Sequence, residues 1–579
     1  MRTTDRQKQP SLAPHTFFGR ARIVGTVVIG IAAIFSGVSY ATTSCADLAS
    51  LSLPTTTITA SQAIPAGTYT APDGEVFSNM PSFCRVAATL KPSSDSNIRI
   101  EVWMPQSGWN RRFEGTGNGG YAGAIVYSAL ADGVQRGFAV ANTDMGTSPS
   151  NTLNGDSLVG HPEKWVDFGW RATHEMTARA KEITSAFYGQ TPDHSYFVGC
   201  STGGQQALSE AQRFPQDYDG IISGAPAFNR THLHMNVLWV YQAAHKTPSS
   251  VVPQSKLSVL NTAIVAACGK KDGGLSTDPF LNDPRDCGFD PASLQCQAGD
   301  APNCLTAAQV QTMKAIEDGP RNLLDGHLID PAYPKGSEGL IITGLIETGI
   351  FPNEAPFDSL FKWVFGSNWN PLSFNFNSDV TVVDDVLRPL LNATNPDLNA
   401  FKRHRGKLIL YHGFADALVV PQDTINYYNE VVALGREGDR RDDWRDDDSR
   451  DDRSGGGALE RTQRFARLFM VPGMSHCGGG PGANVFTQSA NQGSPIDADH
   501  DILAALVKWR EQGVEPNRLI ATKFVNDTPA NGVAFTRPIC PYPQLPHYKG
   551  SGSTTDASNF SCRTDEHDFN QVAAPEYRR

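Results

Sequence analysis

The sequence predicts an α/β fold, and three observations point to it. From about Ser44 to Pro226 short β-rich runs alternate with amphipathic helical stretches, and the same alternation resumes near Lys407. Between them, roughly Asn229 to Thr394, the texture changes to one rich in cysteine, proline, asparagine and aromatic residues, which reads as an insertion with its own disulfide staples. In chain order, Ile98–Met104 and Gly137–Asn142 read as strands, His174–Tyr188 as an amphipathic helix and Tyr196-Phe197-Val198 as a short buried strand. Beyond the insertion, Leu408–Tyr411 reads as a strand, Asp423–Leu434 as a helix, Phe469-Met470-Val471 as a strand and Asp501–Gln512 as a helix. The expected organisation is a first part of the core over residues 42–228, a lid over 229–394 and a second part of the core over 395–579. Within the last, Arg436–Gly457 is dense in mixed charge and too poor in apolar residues to offset the entropy of ordering. A disordered, solvated loop is expected there, with a docking element or a calcium-attracting acidic loop as the alternative.

A chain of 579 residues, 40% of them hydrophobic, is long enough for a large core and more than one structural unit. A formal net charge of −11 with no clustered basic segment lacks the electrostatic footprint of a nucleic-acid binder. Arg20 and Arg22 precede the apolar run Ile23–Val38, which ends in Ser39-Tyr40-Ala41, so Met1–Ala41 reads as a removed export signal. A membrane anchor is the alternative, but the run falls short of the roughly 20 residues a span needs. No second long apolar stretch is evident, and a soluble, secreted or periplasmic mature protein is expected. The ten cysteines behind that signal imply disulfides, five bridges being the simplest arrangement. No Cys-x-x-Cys pair suggests zinc.

The chemistry concentrates in three places. Gly199-Cys200-Ser201-Thr202-Gly203-Gly204 follows a predicted strand and precedes a helix-compatible run, Gln205–Phe214, the setting in which a nucleophilic serine is exposed on a tight strand-to-helix turn. Asp416 and His476 each follow a predicted strand, and the order Ser201, Asp416, His476 is that of α/β-hydrolases. Singly, Asp416 would be a turn former and His476 a capped loop histidine; together they read as a catalytic triad. Cys200 precedes the serine and Cys477 follows the histidine, so if the two pair, their Cα atoms lie within about 4.4–6.8 Å and draw Ser201 and His476 together. The backbone N–H of Thr202 supplies one oxyanion donor, and the glycine-rich segment Gly115–Gly120 the other, through Gly119 or Gly120.

These segments resemble the tannase and feruloyl esterase family, which also contains the hydrolase of mono(2-hydroxyethyl) terephthalate. The resemblance rests on His174–Thr177, Tyr196–Gly204 continuing to Glu210–Pro215, Asp219–Ala227, His412–Asp416 and Val471–Gly482. It implies an α/β-hydrolase fold with a large inserted lid. It also implies a Cys200–Cys477 bridge, with Cys45–Cys84, Cys268–Cys287, Cys296–Cys304 and Cys540–Cys562 as the remaining pairs. A structural calcium in the lid is a further implication; Asp272 fits its pattern, while Gly269 stands where an aspartate is usual and the spacing to Asp278 and on to Asp283 is stretched.

The expected activity is that of an exported serine esterase acting on small esters of aromatic acids such as ferulate or gallate, with no other cofactor and no nucleic-acid or membrane partner after signal removal. Trp239, Trp363, Phe365, Trp369 and Phe374 are candidate substrate contacts, although taken singly each reads as core before pocket. A terephthalate-monoester hydrolase is the runner-up. It needs a cation for the free carboxylate, and Phe357–Phe376 offers only Lys362. A non-catalytic binding module and a peptidase with the same triad are the readings from other classes.

Overall fold

Nine strands form one mixed sheet in the computed structural model, which describes residues 42–148, 152–269, 272–340, 355–442, 457–489 and 493–564. The segment read as an export signal, residues 1–41, lies outside the described residues. The strands are β1 (Thr56–Ile64), β2 (Phe83–Leu90), β3 (Ile98–Pro105), β4 (Arg112–Thr116), β5 (Ala139–Thr143), β6 (His194–Cys200), β7 (Gly220–Gly224), β8 (Lys407–Gly413) and β9 (Ala466–Val471), and they lie in the order β1-β2-β3-β5-β4-β6-β7-β8-β9. Pairing is antiparallel from β1 to β5 and parallel from β5 through β9. The parallel strands are almost continuously buried because helices cover both faces.

Period-two alternation assigns side chains to those faces. Phe197 and Ile221 share a core with Met176, Ala180 and Ile183 of helix α2 (Ala172–Tyr188) and with Ala207 and Leu208 of α3 (Thr202–Arg213), which follow α1 (Tyr127–Gln135) in the chain. Their neighbours Tyr196 and Ile222 turn the other way, to Leu503, Leu506 and Trp509 of the helix Ile502–Gln512.

Between β7 and β8 the chain leaves the sheet to form the lid, built on α4 (Arg230–Ala244), α5 (Gln254–Cys268), α6 (Ala307–Asp318), α7 (Ser359–Phe365) and α8 (Asp379–Leu391). It returns beside its point of departure, where Ala393 N–H donates to Phe228 O at 2.8 Å and Asn392 Nδ2 to Asn229 Oδ1 at 3.0 Å. Pro248–Cys268 is long and apolar enough to cross a membrane by length and composition only, and the helix within it, α5, has 15 residues. In the lid its Leu257, Leu260 and Ile264 are buried and Lys256 ion-pairs with Asp300.

The helix α9 (Pro421–Asp442) extends through 436–442, the start of the segment expected to be a disordered loop. Buried Tyr427, Tyr428 and Val431 anchor its first turns, and once a helix is nucleated each further residue adds a hydrogen bond at low cost. Residues 443–456 lie outside the described residues. All five disulfides pair as the family resemblance implied: Cys45–Cys84, Cys200–Cys477, Cys268–Cys287, Cys296–Cys304 and Cys540–Cys562.

Candidate active site

β6 ends at Cys200 and α3 begins at Thr202, so Ser201 alone occupies the turn, at φ 63° and ψ −120°. A residue with a Cβ is held in such a conformation at a cost of about 1–2 kcal/mol, and the surroundings must over-determine it. They do: Ser201 N–H donates to Gly224 O at 3.0 Å, Ala227 N–H to Ser201 O at 3.0 Å and Gly203 N–H to Asn118 O at 2.7 Å. Close approach demands glycine at 199, where a Cβ would sit 2.4 Å from Gly203 O. Ser201 thus projects at the N-terminus of α3, where the dipole and unshared N–H groups favour negative charge.

The glycine-rich loop that follows β4 is clamped against this turn. Asn118 N–H donates to Gln206 Oε1 at 2.9 Å, Asn118 Nδ2 to Thr143 O at 2.8 Å, and the Thr202 hydroxyl to Gly120 O at 2.7 Å. Gly120 has φ 53° and faces Thr152 O, which a Cβ would approach to 1.9 Å. Among the described residues no acceptor takes the backbone N–H of Thr202, Gly119 or Gly120.

Asp416 is fully buried just beyond β8. Its Oδ1 accepts the N–H groups of Leu418 and Val419, both at 2.9 Å, and its Oδ2 accepts from His476 Nδ1 at 2.7 Å and His412 Nε2 at 3.0 Å. Burial pushes this carboxyl upward, but the charge of His476 and the hydrogen bonds of both imidazoles outweigh it and hold the group well below the usual carboxylate range. His476 lies in the loop after β9, and the Cys200–Cys477 bridge, with Cα atoms 5.9 Å apart, joins that loop to the Ser201 turn. Ser201, His476, Gly119 and Gly120 line one cavity of about 320 Å³.

A family model described as tannase and feruloyl esterase matches residues 84–563. The chain belongs to the tannase and feruloyl esterase family. An uncharacterized esterase of Xanthomonas campestris pv. campestris is 39% identical over 565 residues, covering 93% of this chain and 94% of that protein. A probable feruloyl esterase B-2 of Aspergillus flavus is 34% identical over 471 residues, 79% of this chain and 83% of that protein. The crystal structure of feruloyl esterase B from Aspergillus oryzae superposes with a TM-score of 0.78 at 28% identity, over 90% of this chain and 99% of that one. The α/β-hydrolase fold expected from the sequence is therefore the fold of this family member, and its class of activity is carboxylic ester hydrolysis.

The cavity of this tannase and feruloyl esterase family member is walled by residues the sequence did not single out. Arg230, Leu233, His234 and Val237 come from α4, with Phe357 from the lid and Leu418 from the loop after Asp416. None of Trp239, Trp363, Phe365, Trp369 and Phe374 lines it, which corrects the expected substrate contacts. They pack on each other, on the rest of the lid and, for Trp363, on the first part of the core. Trp363 stacks on Trp165 and donates Nε1–H to Gly155 O, Phe365 and Phe374 pack around Trp369, and Trp239 meets Phe376 edge-on while donating to Ala315 O. Large rings gain more by burying area among themselves than by facing a wet cavity. Lys362 is also engaged, by Asp156 at 3.1 Å and Asp358 at 3.0 Å.

Burial lowers the Arg230 guanidinium to about 10, with Tyr121 opposing the shift. Burial and then the charge of Arg230 lower His234 to about 3, so this imidazole stays neutral and donates Nδ1–H to Phe357 O at 3.0 Å. The one signal that could have revealed this wall is an arginine in a helix whose other residues are almost all buried.

The proposed calcium residues do not fit a hard cation. Asp272 spends Oδ1 on Gly274 N–H at 3.1 Å and Oδ2 on Asn282 N–H at 2.5 Å. Asp278 is paired with Arg537 at 3.1 Å, and Asp283 with Arg285. An ion wanting six to eight oxygens would meet two guanidinium groups instead.

Proposed function

We propose that this chain is an exported serine hydrolase of the feruloyl esterase or tannase type, cleaving esters of aromatic acids through an acyl-enzyme. His476 Nε2 takes the proton of Ser201 Oγ as the oxygen attacks the ester carbonyl, and Asp416 orients the ring through Nδ1–H and stabilises the imidazolium. The N–H groups of Thr202 and of Gly119 or Gly120 receive the tetrahedral oxyanion. His476 returns the proton to the departing alcohol, then activates the water that releases the acid. The observation that carries this reading is the convergence of Ser201 and His476 on one cavity, with Asp416 Oδ2 2.7 Å from His476 Nδ1 and a disulfide joining the residues next to the serine and the histidine. The largely apolar wall suits an aromatic acyl group, and five disulfides suit an oxidising compartment.

A fluorophosphonate probe tests the mechanism. Stoichiometric labelling that disappears in Ser201→Ala supports it, and an unlabelled but folded native protein refutes it, leaving the binding-module reading. Rates on methyl ferulate, methyl gallate, a terephthalate monoester and a peptide amide then identify the acyl group and separate esterase from peptidase.

A further inference from the structure

Glu210 sits in the third turn of α3 and is fully buried, yet neither of its carboxyl oxygens meets an N–H or hydroxyl donor among the described residues. Lys181 of α2, the cation whose charge it feels, donates instead to Asp217 O, and its Nζ lies 5.1 Å and 5.8 Å from the ring centroids of Tyr218 and Phe113. A buried carboxyl without donors is strongly unfavourable unless it takes up a proton or meets a cation.

What Glu210 faces is a set of ligand atoms. His174 in the first turn of α2, Glu210, and Asp217 in the loop between α3 and β7 each place one such atom within 4.8 Å of the other two. His174 is held by stacking on Phe214, with centroids 3.7 Å apart, and its Nδ1 lies 2.7 Å from Asp217 Oδ2. His174 and Asp217 are partly exposed, so the cluster is buried at Glu210 and reached by solvent at the other two. We propose that His174, Glu210 and Asp217 form a binding site for a divalent transition ion of the zinc type. One imidazole and two carboxylates match zinc, which takes nitrogen and oxygen donors at about 2.0–2.2 Å and completes its shell with water, whereas calcium wants six to eight oxygens. The ion supplies the charge that Glu210 lacks and joins the start of α2, the end of α3 and the approach to β7. Its role is to brace the fold: none of the three residues lines the cavity, and Ser201, nine positions earlier at the head of α3, is about 13 Å away at 1.5 Å per residue. No step of the esterase reading rests on it. With two ligands open to solvent the ion exchanges freely, and the protein in zinc-free buffer is the ion-free form.

The competing arrangement is a proton shared between Glu210 and Asp217, which burial and then the Asp217 charge favour by raising Glu210 well above the usual carboxylate range. Calorimetric titration of untagged native protein with zinc chloride, and separately with calcium and magnesium chloride, decides between them. One equivalent of zinc is expected to bind and, in saturating excess, to raise Tm by about 2 °C or more, while calcium and magnesium do neither. Glu210→Gln and His174→Ala are each expected to weaken zinc binding by at least about tenfold. A native protein that takes up no zinc overturns the proposal and leaves the shared proton. A zinc equivalent that survives both substitutions overturns it by placing the ion elsewhere, and calcium binding as tightly as zinc overturns the donor-set argument. Glutamine keeps the shape of Glu210 and can replace the shared hydrogen bond, and the native protein alone decides the first and last outcomes should a variant misfold.

Discussion

His412 Nε2 lies 3.0 Å from Oδ2 of Asp416, the oxygen that also accepts the hydrogen bond of His476 Nδ1–H. The same nitrogen is 3.0 Å from Val419 O, which can only accept, so Nε2 carries a hydrogen and Nδ1 accepts from the Thr424 hydroxyl at 2.8 Å. His412 is therefore a positioning residue that fixes where Asp416 points. His412→Ala is expected to lower kcat roughly 10–100-fold with a smaller change in KM, since a charge-assisted hydrogen bond contributes about 1.5–3 kcal/mol. A loss confined to KM would contradict this role.

The depressed Asp416 carboxyl has a stability consequence. A group whose folded-state pKa lies below its unfolded value of about 3.9 adds stability above that value and loses it as pH falls through the folded one. Asp416→Asn is accordingly expected to narrow its Tm deficit relative to the native protein below about pH 3. Thermal melts of both between pH 2 and 7 measure it.

Glu114 on β4 behaves in the opposite sense. Burial, opposed by Arg136 and reinforced by Asp132 and Asp501, pushes it up to about 8. A raised carboxyl contributes stability at low pH that is lost as pH rises from about 4.3 towards 8. Glu114→Gln is expected to flatten that decline, so its Tm relative to the native protein should be higher at pH 9 than at pH 5. Parallel slopes in the two melting series would show that Glu114 titrates normally.

The strained turn at Ser201 predicts a trade of stability for activity. Ser201→Gly removes the Cβ from a φ of 63° and is expected to stabilise the fold by about 1 kcal/mol while abolishing ester hydrolysis. Denaturant unfolding and a rate assay on one preparation test both halves.

Asp278 and Asp283 are held by arginines, so chelator is expected to leave Tm unchanged and added calcium to leave it unchanged too. Arg537→Ala should lower stability by about 1–3 kcal/mol, because it strands the half-buried Asp278 and removes the guanidinium packed 4.4 Å from the Phe560 ring centroid. A chelator-induced drop in Tm would restore the metal.

The geometry of the candidate site was legible because each of the three residues sits at the end of a β-rich run, where a sheet edge presents loops, and because Cys200 and Cys477 flank two of them. The parallel strands were legible as short apolar runs. The pocket wall was not. A helix buried all round, as α4 is, leaves no periodicity to say which face turns towards Ser201, so Arg230 and His234 stayed unmarked. Aromatic density in the lid misled for a related reason: it marks where area is buried and is silent about what the area is buried against. The charge run from Arg436 was misjudged at its start because helix propagation from a packed first half is invisible to composition.

The clasp between Phe228 and Ala393 separates two inheritances. The residues proposed to make and break the ester bond belong to stretches outside residues 229–394, whereas Arg230, His234 and Phe357 belong to the stretch inside them. Since closure of a loop costs only slightly more as it lengthens, and both cut ends here lie side by side, this stretch is a natural unit of exchange. Swapping it between relatives is expected to change which ester is accepted while leaving the proposed triad in place.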